Sequence, residues 1–282
     1  MAVALALFTS VAYGVSNYVG PRLARGVSLY LLLLAGQTCS LVLAAVVVAA
    51  GGDPFPAADA VAFALLAGLG NAGGLVLFYR AAQVGPLSIV TPIGALGAAL
   101  PVAVGIAGGE TVTALEGVGI LLALTGVVLV ARRPVDPDAH PDEHADRRAA
   151  ILLSVASAFC FGVFLAAIAP AAEDAAGWAV LFSRVSLLSV LVVFCVRLGV
   201  LRSVGARRLP VLAVPGILLF LGTFSYAIAT REGDLSVVSV LGSLFPVVTV
   251  ALALGLDRER LSAPQALGVL GTIVGVVLLS MR

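Results

Sequence analysis

The chain contains no lysine: every one of its 16 basic residues is an arginine. Charge of either sign is scarce, at 11% of 282 residues, while 61% are hydrophobic. A soluble domain carries about 25% charged and about 45–50% apolar residues, so this composition excludes one. A net charge of +1, with no basic stripe interleaved with aromatics, gives nucleic acid nothing to bind. Cys39, Cys160 and Cys195 all fall within apolar runs, where they read as packing residues and not as a disulfide framework or metal site. The start, MAVALALFTSVAYG, lacks a positive n-region, so it reads as a first membrane span and not as a signal peptide.

What is present is long apolar runs. Ten of them, at 3–20, 28–50, 60–80, 87–107, 112–131, 149–169, 177–199, 210–230, 235–255 and 263–280, are close to the length a bilayer core demands of a helix, about 20 residues. None alternates in polarity as a membrane strand does. Pro21, Asp53-Pro54, Gly85-Pro86, Gly109-Glu110, Glu173-Asp174, Gly233-Asp234 and Asp257 mark the turns. The expected fold is an all-α integral membrane protein with ten transmembrane helices.

The runs form two copies. Tyr13-Gly14 recurs as Phe161-Gly162, Gly85-x-Leu87-Ser88-x-Val90 as Gly233-x-Leu235-Ser236-x-Val238, and Gly94 as Gly242, each displaced by 148 positions. Glu110, Glu116, Gly119 and Gly126 recur as Glu259, Gln265, Gly268 and Gly275, displaced by 149. The expected organisation is a first five-helix repeat over 1–134, a polar linker over 135–147 and a second repeat over 148–282. An odd number of spans per copy inserts the second copy upside down, giving an inverted repeat of the kind transporters use. The linker holds His140 and His144 at a spacing that suits a metal on a helix, but Pro134, Pro137 and Pro141 argue against a helix and for a solvated connector. Loops after odd-numbered spans carry 13 arginines and the opposite side only Arg231 and Arg282, which places both termini outside the cytoplasm.

Ala12-Tyr13-Gly14-Val15-Ser16-Asn17-Tyr18, Pro86-Leu87-Ser88, and the closing series Gly109-Glu110, Glu116, Gly119, Gly126 have second-copy partners in Phe161-Gly162, Leu235-Ser236, Glu259, Gln265, Gly268 and Gly275. Over nearly its whole length the chain thus resembles the EamA-like branch of the drug/metabolite transporter superfamily. The resemblance implies ten helices as two inverted five-helix repeats around a midplane cavity. It also implies movement of amino acids, other metabolites or drugs, often outward, and termini in the cytoplasm, opposite to the arginine count. The expected function is a permease of the plasma (inner) membrane, an efflux transporter or else an uptake facilitator of the same architecture. An intramembrane enzyme needs a base, nucleophile or metal cluster at depth, and no Asp, Glu or His lies well inside a run. No cofactor, metal or catalytic residue is expected. The expected partners are a small-molecule substrate, the lipid bilayer and, in one arrangement, a second copy.

Candidate site residues are the polar groups that hydrocarbon cannot satisfy. Arg184, in the run VLFSRVSLL, either ties helices together or holds a substrate carboxylate or phosphate. Tyr13 and Asn17 share one helix face, Asn71 and Tyr79 lie in the third run, and Thr223 and Tyr226 in the eighth. Tyr13, Asn17, Asn71, Tyr79, Arg184 and Tyr226 are therefore the expected substrate-binding set, with interhelical hydrogen bonding as the alternative role. Ser88, Glu110, Ser236 and Glu259 are expected to be structural caps of helix N-termini. Trp178 reads as an interfacial anchor, and Gly70-x-x-x-Gly74 and Gly271-x-x-x-Gly275 as close helix contacts, within the bundle or in a dimer.

Overall fold

A computed structural model describes residues 1–24, 28–85, 87–130, 141–199, 209–256 and 263–280. All regular structure among them is helical. In the first half lie α1 (Ala2–Ala24), α2 (Leu29–Gly51), α3 (Ala58–Val84), α4 (Leu87–Ala95), α5 (Ala99–Ala107) and α6 (Ala114–Val130). The second half has α7 (Pro141–Ala172), α8 (Ala176–Arg197), α9 (Leu209–Glu232), α10 (Leu235–Gly242), α11 (Phe245–Leu256) and α12 (Ala263–Ser280). Six helices, namely α1, α2, α3, α7, α8 and α9, are long and apolar enough to cross a membrane. The remaining four expected spans coincide with shorter apolar helical stretches at Ile93–Ala107, Ala114–Leu129, Leu235–Thr249 and Ala266–Gly275.

Two expected spans are broken, and in corresponding places. The run at 87–107 divides into α4 and α5 at a 3₁₀ turn, Leu96–Ala98, and the run at 235–255 divides at Ser243 and Leu244. Pro101 and Pro246 stand in the first turns of α5 and α11, where a missing N–H breaks no intrahelical bond. Two turn expectations are corrected. Pro21 lies inside α1, within its last turn, and does not end it. Pro141 opens α7, so that helix takes in the last residues assigned to the linker, again with proline at the tolerated first position. The linker residues 135–140 lie outside the described set, as do Glu259 and the side chain of Ser88.

Large apolar side chains such as Leu121, Leu152, Phe159 and Leu267 face outward, which suits hydrocarbon and not water. Inside, the helices meet through small residues. The packing pairs are reciprocal: α1 lies on α9 as α7 lies on α3, α2 lies on α9 as α8 lies on α3, and α2 meets α8 as α6 meets α12.

The same reciprocity holds residue by residue. A Cβ added at Gly14 would press on Val248 and the Phe245 carbonyl, and one added at Gly162 on Leu100 and the Gly97 carbonyl. Gly74 abuts the Phe161 ring as Gly222 abuts the Tyr13 ring. Gly126 meets Thr272 and the Gly268 carbonyl, and Gly275 meets Ala123 and the Gly119 carbonyl. Each contact becomes its partner when both residue numbers shift by the offset of the duplication. Gly70, Gly74, Gly271 and Gly275 all spend their close approaches inside the bundle.

Candidate solute cavity

The helices that exchange partners, α1 with α7 and α3 with α9, leave a small cavity of about 40 Å³ between them. Its wall includes four pairs of positions related by the 148-residue offset: Tyr13 and Phe161, Asn17 and Leu165, Asn71 and Leu219, Thr223 and Leu75. In every pair one member is polar and the other apolar. The repeat therefore supplies the shape of the cavity twice, and the substitutions between copies supply its chemistry once. The α1 side is polar. The α7 side, with Phe161, Phe164 and Leu165, is apolar.

Asn17 and Asn71 are more than nine-tenths buried, yet neither carboxamide has a hydrogen-bond partner among the described residues. A buried amide without a partner is costly, so these two groups require water or a solute in the cavity they line. Tyr13 differs. Its hydroxyl lies 3.0 Å from Thr223 Oγ1.

Behind that pair stands Arg184, wholly buried on α8. Its Nη1 donates to Gln37 Oε1 on α2 at 3.1 Å, and its Nη2 donates to the Leu219 carbonyl at 3.3 Å and to Thr223 Oγ1. Its Nε–H finds no acceptor among the described residues. No carboxylate among the described residues pairs with the guanidinium. Interior charges are normally paired, so this one is distinctive. Thr223 thus links a buried cation to the cavity, since it accepts from Arg184 and sits against Tyr13.

Other expected site residues lie elsewhere. The Tyr226 hydroxyl bonds the Leu165 carbonyl at 3.2 Å and Ser239 Oγ at 2.6 Å, tying α9 to α7 and α10 away from the cavity wall. Tyr79 is buried beside Ser16 and Gly20 without a well-formed hydrogen bond, and it too is absent from the wall. Gln37 is a site residue that sequence reasoning misses, although a lone glutamine in the second apolar run is signal enough.

The caps rearrange as well. Glu110 does not cap α6, the helix that follows it. Its two carboxylate oxygens accept from the backbone N–H groups of Leu235 at 2.7 Å and Ser236 at 3.1 Å, so the first half caps α10 of the second. Ser236 is accordingly not a cap but a residue inside the first turn that is capped. The cap on α6 is local, made by Thr113 and Glu116 through Thr113 N–H and Oγ1 donating to Glu116 Oε2 at 2.8 and 2.9 Å. Trp178 is half-buried and donates from Nε1 to the Asp53 carbonyl at 3.2 Å.

A cavity with one polar side thus lies where the two copies cross. Residues 148–281 match the model of the EamA-like transporter family. That stretch is similar to the EamA-like transporters. The matched family is one of transporters, and six helices among the described residues are long and apolar enough to cross a membrane. A 67-residue stretch is 34% identical to an uncharacterized protein of Methanocaldococcus jannaschii, covering 24% of this chain and 49% of that one. The matched stretch thus spans about half the length of that relative. A crystal structure of a protein superposes with a TM-score of 0.75 at 17% identity, covering 99% of this chain and 97% of the other, which is a likeness of fold.

Proposed function

We propose that the protein exports small organic solutes across the plasma (inner) membrane by alternating access between two inverted five-helix repeats, making ten spans in all. The observation that carries this reading is the cavity wall built from four offset-related pairs of positions. A cavity bounded by equivalent surfaces of both halves opens to one side or the other as one half rocks against its partner. The broken helices α4–α5 and α10–α11 supply the interruptions in corresponding positions that such carriers place around their sites. Reciprocal glycine contacts support the two-fold, and the odd number of spans in each copy supports its inversion. Outward direction follows the EamA-like resemblance.

Counterflow in proteoliposomes tests the reading. Vesicles preloaded with unlabelled amino acids, sugars, nucleosides or cationic drugs are diluted into the labelled compound, and the protein is expected to drive transient uptake of one class. Absence of counterflow across the panel, from protein that is folded and inserted, contradicts transport. Net movement inward in oriented vesicles overturns export in favour of uptake.

A further inference from the structure

We infer that the cavity selects solutes carrying a single carboxylate on an apolar body and rejects amines of the same shape; this rests on the transport reading above. The charge of Arg184 has no carboxylate partner among the described residues, and its hydrogen-bond chain runs Gln37, Arg184, Thr223, Tyr13, ending at the cavity. A guanidinium stays protonated and only donates, so Thr223 Oγ1 accepts from it. The Thr223 proton is committed to the Leu219 carbonyl at 2.7 Å. The Tyr13 proton is then the hydrogen of this chain that is free to turn from Thr223 into the cavity.

Asn17 and Asn71 add amides to the polar side that can donate to a carboxylate. Two further features favour an anion. No acidic residue lines the cavity among the described residues, so none of them balances a solute cation there. Phe245, the first residue of the 12-residue helix α11, stands in the wall, which brings the positive end of that helix dipole to the site. In a low-dielectric interior these fields act with little screening. Opposite them, Phe161, Phe164 and Leu165 form a surface for the apolar part of the solute.

The test uses purified full-length protein in detergent and in proteoliposomes, with 3-phenylpropionate, 3-phenylpropanamide and 3-phenylpropylamine as probes. In thermal-shift titration the acid should protect at concentrations at least tenfold below those of the amide, and the amine should not protect. Arg184→Gln should abolish that preference, whereas Arg184→Lys should keep part of it. Should Arg184→Gln fail to fold, Thr223→Val cuts the link to Tyr13 while leaving the cation in place, and is expected to weaken acid binding about tenfold. Equal or better protection by the amine, or no protection by any of the three probes, overturns the carboxylate assignment. Counterflow of some other solute in that event leaves transport standing, while counterflow of none defeats transport itself.

Discussion

Gly216 and Gly36 lie backbone to backbone where α9 crosses α2, so that a Cβ on Gly216 would collide with the Gly36 carbonyl. Gly68 on α3 approaches the Ser183 carbonyl of α8 in the same way. Helices in lipid gain little from the hydrophobic effect between them, so close backbone approach through small residues takes its place. These two crossings, each joining one half to the other, hold the outer helices α2 and α8 against the cavity-forming α9 and α3.

Gly216→Ala should therefore force α2 and α9 apart and lower stability by about 1–3 kcal/mol, the range of overpacked cores. Gly117, in the first turn of α6 with open space around it, is the control. Gly117→Ala is expected to be neutral or to stabilise by about 0.5–1 kcal/mol. Thermal unfolding in detergent distinguishes the two; equal midpoints for both variants would contradict the crossing's role.

Glu110→Ala removes the carboxylate that joins the halves at the N-terminus of α10. Loss of a cap costs about 0.5–2 kcal/mol, and the charge–dipole attraction adds to it. Because the cap spans the two repeats, proteolysis should also begin to separate the halves at lower temperature than in the wild type. A variant with unchanged melting and unchanged proteolysis would show that the contact contributes nothing.

Much of the architecture is legible in the chain. The 148-residue offset predicts two copies, and the same offset pairs Asn17 with Leu165, the two positions that face each other's chemistry across the cavity. The breaks at Leu96–Ala98 and Ser243–Leu244 have a trace in Pro101 and Pro246. Partners across the bundle are not legible. Glu110 meets residues 125 and 126 positions away, and Arg184 meets Gln37 across 147. Nothing local in a sequence specifies which of several buried acceptors a long side chain will find. Tyr226 and Tyr79 show the converse. A tyrosine in an apolar run needs a partner, but whether that partner is a solute or a neighbouring helix depends on rotation about the helix axis, which low amphipathicity leaves unmarked.

The 13 arginines on one set of loops predict that both termini face away from the cytoplasm. A fluorescent reporter that folds only in the cytoplasm should be dark at the C-terminus, and alkaline phosphatase at the same position should be active. A bright fluorescent fusion with inactive phosphatase would reverse the orientation.

The polar members of the four offset pairs make up the proposed solute site. Its most direct test replaces them with the residues the other copy already accommodates. Asn17→Leu with Asn71→Leu gives each position the side chain of its counterpart, Leu165 and Leu219, and removes two unpartnered buried amides. Counterflow of whichever solute the wild-type protein exchanges should then fall at least tenfold, while the melting temperature holds or rises. Undiminished counterflow by the doubly substituted protein would contradict the account.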